Sequence, residues 1–131
     1  MSESLVEAAR EAMTRAYAPY SGYRVGAALE TRDGTVIVGC NVENASYPAG
    51  ICAERVALSA AVAQGHREFS ALAICVEAGS PASPCGICRQ VLAEFAPALP
   101  ITSATTRGAR QRWTLDALLP APFTSAVLRD A

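Results

Sequence analysis

The chain contains no lysine. All 11 of its basic residues are arginines, scattered along 131 residues with no basic block. Proteins that grip phosphate backbones usually carry such a block. Against 12 acidic residues the formal net charge is −1, so composition argues against a nucleic-acid polymer as partner. No apolar run reaches the eighteen or so residues of a membrane span. The first residues are acidic and polar and lack a basic-then-apolar signal pattern. These absences lead us to expect no membrane partner and a cytoplasmic location. Histidine is nearly missing too: His66, the only one, follows Gly65 where a helix is expected to end, which argues for a surface role and against a Cys–His nucleophile pair. Cysteine is present five times, at 40, 52, 75, 85 and 88. An odd number without a secretion signal argues against a disulfide framework, and clustered cysteines in a reducing compartment more often bind metal.

The length suggests a single domain over residues 1–131. Ser4 and Glu7 have capping-box spacing. Leu5, Ala8, Ala9, Ala12, Met13 and Ala16 then recur at helical spacing, predicting a first helix that ends near Tyr17 and Pro19. Val25, Ala27 and Leu29 alternate as in a strand. Asp33-Gly34 is a hairpin turn, and Thr35 to Val42 is the return strand. Because Val36, Ile37 and Val38 are apolar on both faces, that strand is expected to be central and covered on both sides. A loop from Glu43 to Ile51 leads to a second helix, Cys52 to Gln64, apolar nearly all round and so expected to be buried, with Gly65 as its C′ residue. Ser70 to Val76 reads as a third strand. Pro84 is expected to open a third helix, at a position where a missing N–H costs nothing. Further strands at Leu99 to Thr105 and Gln111 to Thr114, then short helices at Leu115 to Leu119 and from Thr124, complete the pattern. Strands alternating with helices indicate an α/β protein, a three-layer α/β/α sandwich around a mixed five-stranded sheet.

Cys52, Cys85 and Cys88 are the candidate metal ligands. Thiolates at i and i+3 in a first helical turn share one side, and Cys52 also begins a helix. Helix N-termini favour thiolate over thiol. Zinc suits soft sulfur ligands, and three protein ligands leave a fourth position open for water. A closed structural site needs a fourth side chain, but Cys40 and Cys75 lie in apolar strands, where a cysteine behaves as a small hydrophobe. Glu54, two residues beyond Cys52, alone reads as an acidic residue favoured by the helix dipole. Beside an open metal position it is a proton carrier. Cys52-Ala53-Glu54 followed by Pro84-Cys85-Gly86-Ile87-Cys88 matches the known three-cysteine form of the zinc-deaminase signature.

On these residues, with Tyr20 to Ala28, Asn41 to Ala45, Gly50 to Arg55, Ser83 to Gln90 and Leu118-Leu119-Pro120 with Phe123, the sequence resembles the small, homotetrameric cytidine deaminases from about Tyr17 to Phe123. The resemblance implies one zinc ion per subunit and hydrolysis of the exocyclic amine of cytidine or deoxycytidine in nucleoside salvage. Water would attack C4 of the pyrimidine while Glu54 moves its proton to N3 and then to the departing amine. It further implies that the Ser83 carbonyl meets the amine, the Ala53 N–H meets O2, and Asn41 and Glu43 hold the ribose 3′-hydroxyl. Tyr23 and Phe123 would flank the base, Phe123 reaching in from a neighbouring subunit, with Ala45 and Tyr47 on the 5′-hydroxyl side across the interface. Arg55 would donate to the thiolates, drawing charge off a site whose three sulfurs outweigh the metal's two positive charges. Tyr23 stands where many relatives carry phenylalanine.

Four other readings compete. A blasticidin-type deaminase shares the fold and metal motif but acts on a nucleoside antibiotic, and Asn41-x-Glu43 favours an unmodified ribose over it. A polynucleotide-editing deaminase needs room and basic contacts for flanking nucleotides. A structural zinc module needs a fourth protein ligand. A Cys85/Cys88 redox pair needs neither Cys52 nor Glu54.

Overall fold

A computed structural model of the chain describes residues 3–130. Five strands, β1 (Val25–Thr31), β2 (Val36–Cys40), β3 (Phe69–Val76), β4 (Pro100–Thr105) and β5 (Arg110–Thr114), form one sheet in the order β2-β1-β3-β4-β5. All neighbours are antiparallel except β3 and β4. A parallel pair requires a crossover, and helix α3 (Gly86–Ala93) supplies it.

Strand alternation assigns the two faces. Ala28, Ala73, Cys75 and Ala104 point to one side, where α1 (Glu3–Met13) buries Leu5, Val6, Ala9 and Met13 against them. Leu29, Leu72, Ile74 and Ile101 point to the other, under α2 (Ala53–Ala63) and α3. The small residues on the α1 face let that helix lie close. At Gly26 an added Cβ would stand 1.9 Å from the Ala9 carbonyl oxygen. Two short helices, α4 (Leu115–Leu118) and α5 (Ser125–Arg129), close the chain. Among the described residues no helix is long and apolar enough to cross a membrane. The architecture is the expected sandwich around a mixed sheet, and Gly65 takes the expected left-handed C′ conformation, φ 95°.

Several details differ from the sequence-based expectations. The second strand is at the sheet edge, not its centre: Ile37 is buried beneath α2 while Val36 and Val38 are exposed. Apolar residues on both faces do not distinguish an edge from a centre; that depends on which hairpin partner pairs again, and here it is β1. The first helix already includes Glu3, so Ser4 lies inside its first turn. It stops at Met13: Thr14, Arg15 and Ala16 bond three residues back in tightened turns, and Tyr17 then pairs with Val42. The return strand shortens to Val36–Cys40, and Val42 makes only isolated bridges. The second helix is buried on one side only, with Ser59 and Ala63 exposed. Pro84 precedes the third helix, whose N-cap is Cys85; the Pro84 carbonyl instead accepts a hydrogen bond from Arg89.

Candidate metal centre and adjoining cavity

Helices α2 and α3 begin beside one another, and each has a cysteine as N-cap: Cys52 and Cys85, both in extended backbone conformation. Neither side chain spends itself on capping. The sulfurs turn toward each other, 3.6 Å apart. Cys88, fully buried in the first turn of α3, joins them, and the three Sγ atoms lie within 4.8 Å of one another. Tetrahedral zinc with Zn–S of about 2.3 Å spaces its sulfurs about 3.8 Å apart, so the triad has the spacing and the soft donors that zinc takes. No other histidine, cysteine or carboxylate belongs to the cluster among the described residues. Cys40 is on edge strand β2, Cys75 is under α1, and His66 follows the far end of α2.

The charge environment matches that use. The Cys52 thiol is held well below its ordinary value, first by the hydrogen bond from Cys88, with Arg55 and Cys85 adding to it against partial burial. The Cys88 thiol is pushed up, first by its hydrogen bond to Cys52 and then by burial. Arg55 Nη2 donates to Cys52 Sγ at 3.6 Å, and that bond, foremost, raises the guanidinium's own pKa. Glu54, only 5% exposed, faces the same space. Burial pushes its carboxyl up to about 7, and the negative Cys52 sulfur adds to the effect.

Beside the sulfurs is a cavity of about 380 Å³, with Glu54, Ala53, Ser83, Asn41, Glu43 and Tyr23 on its walls. This is within the ordinary range for small-molecule sites. Asn41 and Glu43 also build the rim. The Asn41 carboxamide accepts from Val25 N–H at 2.9 Å and donates to the Tyr23 carbonyl at 2.7 Å. Glu43 accepts from the N–H groups of Tyr20 and Ser21 at 2.9 and 3.0 Å and from the Ser21 hydroxyl. The Ser21 hydroxyl bond, above all, holds the half-buried Glu43 carboxyl below its usual value. Each side chain keeps spare lone pairs or a donor for a ligand.

Three of the expected substrate contacts lie outside this cavity. Tyr47 lies across an adjoining hollow of about 390 Å³ that shares Ser21, Glu43 and Gly50 with the first, and its ring meets Tyr20 at 5.9 Å. Ala45 is exposed on the loop between. Phe123 is 58% exposed and belongs to neither hollow. Sequence reasoning assigned no role to Ser21, Arg89 or Gln90. Arg89 donates to the Pro84 carbonyl, the Leu118 carbonyl and the Ser83 hydroxyl at 2.8, 3.0 and 3.1 Å. It thereby fixes the loop that brings Ser83 to the cavity wall. Both Arg89 and Gln90 adjoin the Cys85–Cys88 motif, but apart from the Ser83 hydroxyl their partners are backbone atoms, which no residue pattern encodes.

Residues 1–102 match the family model for the cytidine and deoxycytidylate deaminase zinc-binding region. A cytidine deaminase of Sporosarcina psychrophila is 44% identical over 130 residues, covering 98% of this chain and 96% of that protein. The crystal structure of cytidine deaminase from Burkholderia pseudomallei is 48% identical and superposes with a TM-score of 0.90, over 94% of this chain and all of that one. A blasticidin-S deaminase of Bacillus cereus is more distant, 29% identical over 128 residues, covering 92% of this chain and 90% of that protein.

Proposed function

The chain belongs to the cytidine and deoxycytidylate deaminase family, and we propose that it hydrolyses free cytidine and deoxycytidine to uridine and deoxyuridine with release of ammonia. The observation that carries this reading is the sulfur triad sharing one small cavity with buried Glu54. Cys52, Cys85 and Cys88 would hold zinc, which when bound would act as a Lewis acid and make water nucleophilic near neutral pH. Glu54 takes one proton from the water and delivers it to pyrimidine N3, then takes the second from the hydroxyl now on C4 and delivers it to the leaving amine. Its burial suits a group that must alternate between charged and neutral forms. Ala53 is the first residue of α2, where a backbone N–H has no carbonyl one turn back to pair with; it donates to O2. The Ser83 carbonyl, on the loop fixed by Arg89, accepts from the amine. Asn41 and Glu43 use their spare capacity on the ribose, and Tyr23 stands against the base.

The working unit of this reading is a homotetramer acting in the cytoplasm in pyrimidine salvage. Tyr47 and Phe123 are exposed beyond their own chain's cavity, and Val36 and Val38 lie bare at the sheet edge. Those are the surfaces a neighbouring copy would cover, with Phe123, Ala45 and Tyr47 completing the next site. The direct test is ammonia release and the ultraviolet change on adding cytidine, with zinc counted per chain. The expected result is turnover with one zinc per chain. Turnover of blasticidin S without cytidine turnover, or an active metal-free protein, would overturn the reading.

Arg55 gives a separate prediction. Its guanidinium touches the thiolate that starts α2, and removing such a support of a metal ligand typically costs about 10- to 100-fold in metal affinity or activity. Arg55→Ala is expected to fold normally, yet lose zinc to a competing chelator sooner or turn over more slowly, in that range. Unchanged chelator competition together with unchanged kcat would remove Arg55 from the site.

A further inference from the structure

Phe123 has little to hold it. Its side chain is mostly exposed, and helix α5, which follows it, has no buried residue. What fixes it is one side chain from another element. Gln90 Nε2 donates to the Phe123 carbonyl at 2.7 Å, and Gln90 Oε1 accepts from the Phe123 N–H at 3.2 Å. Both backbone groups of Phe123 are thus satisfied by a single carboxamide, as a facing strand would satisfy them. Next to Gln90, Arg89 binds the Leu118 carbonyl at 3.0 Å. Adjacent residues of α3 therefore pin both ends of the segment from Leu118 to Phe123. Between the pins are Leu119, Pro120, Ala121 and Pro122. The prolines fix their own φ and restrict the residues before them, so the strap has little freedom once its ends are held.

We propose that Gln90 is the positioning residue for Phe123: the helix that carries Cys85 and Cys88 also sets, through this carboxamide, where the aromatic ring stands. The inference rests on the proposed contact of Phe123 with the pyrimidine in a neighbouring subunit. Gln90 touches no substrate in this reading, and its effect passes wholly through Phe123.

The test is a double-mutant cycle on the zinc-loaded enzyme, reading KM and kcat separately. Base–aromatic stacking lost on alanine substitution corresponds to about 5- to 150-fold in binding, so Phe123→Ala is expected to raise KM for cytidine within that range. Gln90→Ala raises KM by much of the same factor with its zinc and oligomeric state intact. The double variant Gln90→Ala/Phe123→Ala is no worse than Phe123→Ala alone. Gln90→Glu keeps size and helix propensity but cannot, when ionised, donate to the Phe123 carbonyl, so it fails like Gln90→Ala; a space-filling Gln90 would tolerate it. Additive effects, a wild-type KM in both Gln90 variants, or loss of zinc or assembly in Gln90→Ala would overturn the proposal. A wild-type KM in Phe123→Ala would remove the stacking contact itself and the inference with it, an outcome distinct from the others.

Discussion

Glu54→Gln should yield a folded, zinc-loaded protein whose turnover has dropped by about 10⁴-fold, the upper end of what a positioned proton carrier contributes. The upper end is expected because one carboxylate serves two transfers, from the water to N3 and from the new C4 hydroxyl to the leaving amine. The amide has the carboxylate's shape and sits in the same 5%-exposed pocket, so packing is unchanged. It lacks any means of accepting and then releasing a proton. Stability should not fall. Burial disfavours the charged form, which is why the carboxyl is pushed up to about 7, and a neutral isostere carries no such penalty. The predicted signature is therefore a split: native melting temperature and zinc content, with kcat nearly abolished. The spectrophotometric cytidine assay, metal analysis and a thermal melt on one preparation measure all three. A structural zinc module predicts no catalytic change, and turnover within about tenfold of the native chain would remove Glu54 from the proton path. Substituting Cys88 instead would fail differently, by losing the metal.

How much of this was legible in the sequence depends on the range of each interaction. The start of α2 was legible because Cys52 to Val62 is apolar enough to mark a helix, and the turn at Asp33-Gly34 because only a few residue types make one. The sulfur triad was legible because two of its members are three residues apart and the third shares its helix-start position. Their convergence to within 4.8 Å follows from two helices beginning at the same end of one sheet. The rim was partly hidden. Asn41 and Glu43 stand out as a polar pair near a strand end, yet their bonds to Val25, Tyr23, Tyr20 and Ser21 join segments about twenty residues apart. The strand Val36–Cys40 was misplaced because hydrophobic patterning reports burial and says nothing of rank in a sheet. Arg89 and Gln90 were invisible in role because the bonds that tie α3 to the C-terminal segment run to backbone atoms of Leu118 and Phe123, about thirty positions away.

The same sheet geometry exposes a residue with no chemistry of its own. Gly39→Ala is expected to damage the site from behind. A Cβ built on Gly39 would stand 2.5 Å from the Ala53 carbonyl oxygen and 2.6 Å from the Ala57 nitrogen. Both are helix backbone, so no side chain can swing aside. The first turn of α2 must retreat from β2 by roughly 1 Å to reach ordinary contact. That turn carries Cys52 at its cap and Glu54 one residue inside, while Cys85 and Cys88 stay on α3. Overpacking of this kind costs about 1–3 kcal/mol of stability. A 1 Å misplacement of reacting groups costs on the order of 10²-fold in rate. Gly39→Ala should therefore lose both zinc affinity and kcat, measured per folded molecule below its melting transition. Gly26→Ala is the control: its methyl strikes the Ala9 carbonyl oxygen and the Met13 nitrogen of α1, on the opposite face. It should lower the melting temperature at least as far while leaving zinc affinity and kcat per folded molecule near native. Equal loss of zinc in both variants would mean that the site merely follows global stability. A native zinc affinity in Gly39→Ala would show that α2 takes up the methyl without moving its first turn, and that the depth of Glu54 is set elsewhere.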